Sequence, residues 1–87
     1  MNFGKAIEEL KAGKRLTRKG WNGKGMYLFL LTGEDIRKAV KDMPENVVTL
    51  PSIAMYTHDA TGRKAILVGW LASQSDMLCD DWEIVNE

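Results

Sequence analysis

A loop close to residue 20 combines an aromatic side chain with positive charge. Residues 20–25 are GWNGKG, and Arg18, Lys19 and Lys24 are the cations around Trp21. Arginine and lysine pair with phosphate groups, and the flat face of an indole is a platform on which a nucleobase can stack. The glycines alone are weak evidence, because the G-x-G-x-x-G and P-loop spacings are both absent. Two interpretations of Trp21 therefore stay open: a wall of a nucleotide pocket, or a lid on the hydrophobic core.

A second segment, GWLASQSD at residues 69–76, carries similar chemistry. Trp70 provides another ring, while Ser75 and Asp76 provide a hydroxyl and a carboxylate that can bind a base edge or a ribose hydroxyl. The alternative is a core tryptophan followed by a polar helix cap. Trp82, which lies between DD and EIV, is interpreted as a core anchor.

Residue types that would indicate catalysis or metal binding are few. The only histidine, His58, is next to a predicted turn, and no serine lies in a Gly-x-Ser-x-Gly elbow. The single cysteine, Cys79, cannot form an internal disulfide, and the acids of residues 76–87 lack the spacing of a calcium loop. We interpret these acids first as caps and as ion-pair partners of the basic residues 5–24. The sequence thus predicts no enzyme, no metal and no cofactor.

Length and charge exclude several classes of protein. The 87 residues suit a single domain spanning residues 1–87, and the formal net charge is zero. A zero balance argues against binding to a long nucleic acid, because that binding depends on neutralising many phosphates. No apolar stretch approaches the roughly 20 residues that a membrane-spanning helix needs, and the N-terminal segment does not resemble a secretory signal. We expect a soluble protein of a reducing, intracellular compartment.

The elements that would position these residues follow from hydrophobic periodicity and turn signals. The predicted fold class is α+β, an N-terminal helix followed by a small antiparallel β-sheet with short helical insertions. The predicted elements are a helix over 3–12, a short extended piece over 15–18, a strand over 26–31, a helical segment over 34–43 ending at Pro44, a strand over 53–57, a hairpin around a turn at 59–62, a helical turn over 74–79 and a strand over 82–85.

Several blocks of the chain resemble a known family. The most specific are W-N-G-K-G-M at residues 21–26 and G-W-L-A-S-Q-S-D-M at residues 69–77, and the resemblance spans nearly the whole chain. The pattern is similar to that of small phage and prophage proteins that include the second Thoeris anti-defence family. Members of that family act as sponges: they sequester glycocyclic ADP-ribose, the signal made by bacterial TIR-domain defence proteins, without degrading it. Some members also hold cyclic dinucleotides in separate sites.

The resemblance implies how this chain would bind its ligand. Family members are homo-oligomers, typically tetramers, with ligand pockets between subunits, and they act in the cytoplasm of the infected bacterial host. The implied ligand-binding residues are Trp21 and Trp70 for base or ribose packing, Asn22, Ser75 and Asp76 for hydrogen bonds, and Arg18, Lys19 and Lys24 for phosphate charge. We expect the two blocks to form opposite walls of one pocket.

Two other functions stay open from the residues alone. One is a hydrolase or lyase of the nucleotide signal that uses Asp76 and Asp81. The other is a protein–protein interaction module whose exposed tryptophans bind a host defence protein.

Overall fold

Short helices separate pairs of consecutive strands along the part of the chain that the structure describes. The computed structural model describes residues 1–21 and 25–86. Its elements are α1 (Phe3–Lys11), β1 (Leu16–Arg18), β2 (Tyr27–Leu31), α2 (Gly33–Ala39), β3 (Ser52–His58), β4 (Lys64–Val68), α3 (Gln74–Leu78) and β5 (Trp82–Ile84). This confirms the predicted α+β class with its N-terminal helix and short helical insertions.

The five strands form one antiparallel sheet in the order β4-β3-β2-β1-β5. Leu16 of β1 lies opposite Leu28 on one side and Ile84 on the other, and Leu28 lies opposite Met55 of β3. Because facing residues point to the same side of a sheet, these side chains form one apolar row. The order also places the first and last strands of the chain side by side.

Helix α1 covers that apolar row. The Asn2 side chain caps the helix by accepting a hydrogen bond from the Lys5 amide at 2.8 Å. Ala6 and Leu10, one turn apart, are each 1% exposed and belong to the same core as Leu16. The helix ends at Lys11, one residue before the predicted end, and Gly13 follows with a φ of 89°.

Helix α2 is shorter than predicted. The sequence favoured a helical segment over 34–43, whereas the helix spans Gly33–Ala39 and Val40 is extended, with a φ of −100°. None of its residues is buried, so tertiary packing does not lengthen it beyond what its cap supports. That cap is a capping box formed by Thr32 and Asp35.

The predicted hairpin between β3 and β4 is confirmed. Asp59 Oδ1 accepts hydrogen bonds from the amides of Thr61 at 2.9 Å and Arg63 at 3.0 Å, which closes the turn. Gly62 takes a φ of 86°, a left-handed conformation that glycine adopts without strain.

The face of the sheet opposite α1 carries aromatic side chains. Tyr27 and Tyr56 stack with ring centroids 4.9 Å apart, and the Arg15 guanidinium lies 4.9 Å from the centroid of Tyr27. Tyr27 and Tyr56 are adjacent in their strands to the core residues Leu28 and Met55. Because neighbouring residues of a strand point to opposite faces, the two tyrosines lie on the face away from the core. Separately, none of the helices within the described ranges is both long and apolar enough to cross a bilayer.

Candidate functional site

Three tryptophans meet at the hydrophobic core, where Trp21 and Trp70 pack against the buried Trp82, and we call them the tryptophan cluster. The ring centroids of Trp21 and Trp70 are 6.3 Å apart, and those of Trp82 lie 5.4 Å from Trp21 and 6.2 Å from Trp70. All three pairs have the edge-to-face geometry that aromatic quadrupoles favour. Trp82 is 2% exposed, which confirms it as a core anchor, whereas Trp21 and Trp70 are half-buried. The lid and the platform interpretations of Trp21 are thus compatible, because one face can pack on Trp82 while other atoms remain accessible.

An ion-pair network lies next to the tryptophan cluster. Arg18, the last residue of β1, donates from Nη1 to Asp76 Oδ1 at 2.7 Å and from Nε to Asp81 Oδ1 at 2.8 Å. We call these three residues the Arg18 network. The interpretation of the C-terminal acids as ion-pair partners of the basic N-terminal part is confirmed for both aspartates. The Arg18 guanidinium also lies 6.0 Å from the Trp82 ring.

Asp76 ties three elements together. It is the third residue of α3, and its carboxylate accepts a hydrogen bond from the Ser73 amide while its own amide donates to Ser73 Oγ, as the sequence predicted for a capping box. Its backbone carbonyl accepts a hydrogen bond from Trp82 Nε1 at 2.9 Å. Asp76 is only 8% exposed, so each of these contacts is largely shielded from water.

Asp81 holds the beginning of the loop that carries Trp21. Its Oδ2 accepts a hydrogen bond from the Gly20 amide at 3.1 Å, and its backbone carbonyl accepts one from the Lys19 amide at 3.2 Å. The Trp21 amide in turn donates to the Arg18 carbonyl at 3.2 Å. Asp81, the residue just before β5, therefore holds residues 19 and 20, and Trp21 follows them into contact with Trp70.

The carboxylates of the network are held ionised. Burial raises the pKa of Asp76, but hydrogen bonds from Ser73, the Arg18 guanidinium and the Trp21 side chain outweigh it, so the pKa lies below its usual range. The Arg18 guanidinium is the main cause of the lowered pKa of Asp81, with a further contribution from the Gly20 amide. The same two carboxylates raise the pKa of Arg18. All three groups are charged at neutral pH.

The structure brings four of the eight predicted ligand-binding residues together: Trp21, Trp70, Arg18 and Asp76. Ser75 is exposed on α3, with its Oγ 3.1 Å from Ser73 Oγ. Lys19 is exposed and lines a surface depression of about 560 Å³ together with Asp80, Asp81, Trp82 and Glu83. The predictions for Asn22 and Lys24 fall outside the described residues.

Asp81 was missing from the predicted ligand-binding residues, although it holds the Trp21 loop. The signal that could have found it is the charge pattern, because a basic segment over 5–24 faces an acidic segment over 76–87. Such complementarity predicts pairing, but only the antiparallel contact of β1 with β5 selects which acid meets Arg18.

Residues that could hold a metal are scattered over the described ranges. No group of three histidine, cysteine or acidic side chains there is arranged to bind an ion. His58 is exposed at the end of β3 and contacts the Tyr56 ring edge-on, at a centroid distance of 6.2 Å.

Comparison with known proteins identifies the family of this chain. Residues 1–85 match the family model of the Thoeris anti-defense 2-like domain. The chain is 35% identical over 86 residues to Thoeris anti-defense 2 of Bacillus phage SP01, an alignment that covers 99% of this chain and 96% of that protein. Trp21 and Trp70, whose rings are 6.3 Å apart in the structure, belong to the two sequence blocks that resemble this family. This chain therefore belongs to the Thoeris anti-defense 2-like family.

Proposed function

We propose that this protein counteracts Thoeris defence by sequestering glycocyclic ADP-ribose in the cytoplasm of the infected bacterial cell, without cleaving it. The observation that carries the proposal is the contact between Trp21 and Trp70, which the Arg18 network holds in place from two distant parts of the chain. Membership of the anti-defence family supports the biological role.

The tryptophan cluster suits a ligand that contains a base and ribose rings. Trp21 and Trp70 both pack on the buried Trp82, so their rings are already ordered before a ligand arrives. Ordering a side chain in advance removes an entropy cost from binding. Stacking on such a ring contributes about 1–3 kcal/mol per base.

The negative charge of the ligand's phosphates needs a cation other than Arg18, because the Arg18 guanidinium is already paired with carboxylates. All three of its nitrogens already donate to carboxylates, Nη1 at 2.7 Å, Nε at 2.8 Å and Nη2 at 3.5 Å, and its side chain is 11% exposed. We therefore assign Arg18 to positioning the tryptophan cluster and the Asp76 side chain. The pyrophosphate of the ligand would be bound by Lys19 and Lys24, and Asn22 would supply hydrogen bonds to the ligand.

The state of the two aspartates favours sequestration over hydrolysis. A general acid must carry a proton near neutral pH, and a general base works best with a pKa close to that pH. Asp76 and Asp81 both have lowered pKa values and are engaged by Arg18. They are thus suited to holding structure and to accepting hydrogen bonds.

A protein that must silence a signalling molecule needs high affinity. A dissociation constant of nanomolar order corresponds to about 12 kcal/mol of binding free energy. Two stacked rings contribute only part of it, so we propose that the pocket is completed between subunits of a homo-oligomer, with a tetramer as the assembly that the family resemblance implies. Cyclic dinucleotides are a second ligand class to be tested in the same assembly.

Recovery of the ligand tests the absence of cleavage. Purified protein is mixed with glycocyclic ADP-ribose, free ligand is removed by filtration, and the protein is then denatured by heat. We expect the intact nucleotide to be released in stoichiometric amount, as measured by mass spectrometry. Release of a converted product, lost on Asp76→Asn, would instead establish the hydrolase or lyase.

Two substitutions in the cluster extend this test to the binding site. Trp21→Ala and Trp70→Ala should each weaken binding about 5- to 150-fold, because each removes a stacking surface of about 1–3 kcal/mol. Trp21→Phe and Trp70→Phe should recover part of the affinity. Tyr56→Ala, which removes a ring from the other face of the sheet, is the matched control and should bind normally.

The same variants decide between a nucleotide sponge and a protein-binding module. Circular dichroism first establishes that each variant is folded. If a folded variant loses nucleotide binding yet still protects phage against Thoeris, the protein acts by binding a host protein directly.

A further inference from the structure

Strand β4 is an exposed edge of the sheet with apolar side chains on both faces. Ile66 is 58% exposed, Leu67 52% and Val68 60%. The strand is last in the sheet order, so none of the described residues forms a strand on its outer side. Natural proteins usually protect such an edge with charges, a proline or a bulge, and β4 has only Lys64 at its beginning.

The backbone groups that point outward from this edge can be identified. The Asp59 amide donates to the Arg63 carbonyl and the Gly69 amide donates to the Ile53 carbonyl, so odd-numbered residues of β4 hydrogen-bond to β3. In an antiparallel ladder the hydrogen-bonding residues alternate. The amide and carbonyl groups of Lys64, Ile66 and Val68 therefore face away from the sheet.

The outward groups are complementary to a second copy of themselves. If Ile66 lies opposite Ile66 of the second copy, Lys64 lies opposite Val68 of that copy, and all three outward pairs meet in hydrogen-bonding positions. About six backbone hydrogen bonds would form, two for each pair. A register shifted by one residue would place each of these outward groups opposite a residue whose amide and carbonyl point toward its own β3.

Charge also fits this antiparallel arrangement. The two Lys64 side chains would lie roughly 13 Å apart along the strands, beyond the Debye length at physiological salt. Each would approach Val68 of the second copy, which lines an apolar cavity of about 220 Å³ together with Asp35. Lys64 of each copy would thus lie near the region of the other copy that contains Asp35, and no two residues of like charge would lie opposite each other.

We propose that two copies of this chain pair antiparallel through β4, about a two-fold axis at Ile66, to form one continuous sheet. This rests on the proposed self-association but not on the identity of the ligand. The register brings the Asp59–Arg63 turn of the second copy beside Gly69 and Trp70. The interface would therefore adjoin the tryptophan cluster, which is consistent with a pocket completed between subunits.

Charge reversal across the axis tests the register. Ile66→Lys and Ile66→Glu each place two like charges opposite one another, and each should weaken self-association at least about tenfold, halving the mass of the assembly or reducing it to a monomer in native mass spectrometry. An equimolar mixture of the two variants should restore the original mass, because the introduced lysine then faces the introduced glutamate. Val48→Lys, at an apolar residue that is 82% exposed and outside β4, is the matched control and should leave the mass unchanged.

A proline variant tests the backbone pairing separately. Because the Ile66 amide points away from β3, Ile66→Pro removes an outward donor without removing a hydrogen bond of the sheet. Thermal unfolding checks that the variant is folded. An assembly that keeps its mass in Ile66→Lys and Ile66→Pro, or that the mixed variants fail to restore, would overturn pairing through β4. A wild-type protein that is monomeric at all concentrations would overturn the proposed homo-oligomer as well.

Discussion

Arg18 and Asp76 form the contact on which the candidate site most depends. Both side chains are 11% exposed, and their closest atoms are 2.7 Å apart. A buried charge is costly to leave without a partner, so such a pair is far more sensitive to truncation than an ion pair in water. The chain has a matched surface pair in Lys38 and Glu34, whose side chains are 73% and 76% exposed.

Truncation of Arg18 should therefore destabilise the protein. Arg18→Met keeps an aliphatic side chain but leaves the Asp76 carboxylate without its guanidinium, and we expect a loss of about 2–3 kcal/mol in the free energy of unfolding. Lys38→Met should change that free energy by less than about 0.5 kcal/mol. Urea denaturation measures both. Equal effects of the two substitutions would show that the Arg18 network is no more than a surface ion pair.

The same network predicts a dependence on acid pH. The pKa of Asp76 is lowered in the folded protein, so ionised Asp76 stabilises the fold at pH values above its unfolded pKa of about 3.9. That contribution is lost as the pH falls through the lower, folded pKa. We expect the stability of the wild type to drop more steeply below about pH 4 than that of Asp76→Asn. If the stability curves of the two proteins run parallel between about pH 2 and pH 6, ionised Asp76 does not stabilise the fold.

At the scale of elements, short capped helices and tight turns hold the site without much buried area. The five-residue α3 has one buried residue, Asp76, and depends on its capping box with Ser73. Helix α2 similarly depends on the Thr32–Asp35 capping box. It is also held by Thr49, whose Oγ1 donates a hydrogen bond to the Gly33 carbonyl at 2.6 Å.

Gly33 is a position where the backbone permits no side chain. A Cβ there would overlap the Thr49 carbonyl oxygen, which belongs to the backbone and cannot rotate away. Gly33→Ala should therefore lower the free energy of unfolding by about 1–3 kcal/mol, as overpacking does. Gly4→Ala in α1 is the matched control: its Cβ would lie 3.6 Å from the Asn2 side chain, an ordinary contact. It should be neutral or stabilising by up to about 1 kcal/mol. Thermal unfolding distinguishes the two, and equal effects would exclude the predicted clash.

At the scale of the whole molecule, the uneven charge of the sequence becomes an internal contact. The basic segment includes β1 and the acidic segment includes β5, and these two strands are neighbours in the sheet. Part of the positive charge is thereby neutralised within the chain, by the pairs of Arg18 with Asp76 and Asp81. The exposed apolar residues concentrate instead on β4 and the connections around it.

Local patterns determined most of the elements. Helix α1 was predictable because its apolar residues recur at helical spacing between Asn2 and Gly13, and the hairpin because Asp59 and Gly62 have turn chemistry. The capping box of α3 was visible as Ser73 and Asp76. The end of α2 could not be predicted from the sequence, because Val40 follows the helical period of the apolar residues. The helix ends there because it lacks buried packing contacts.

The sequence by itself determined the chemistry of the site: two tryptophan blocks, a surplus of cations near one and of acids near the other, and the family to which they belong. Tertiary structure decided that Trp21 and Trp70 share a support in Trp82, and that Arg18 is engaged by Asp76 and Asp81. The two Arg18 contacts join residues 58 and 63 positions apart. Local propensity carries no information on pairing at that range; the order of strands in the sheet supplies it.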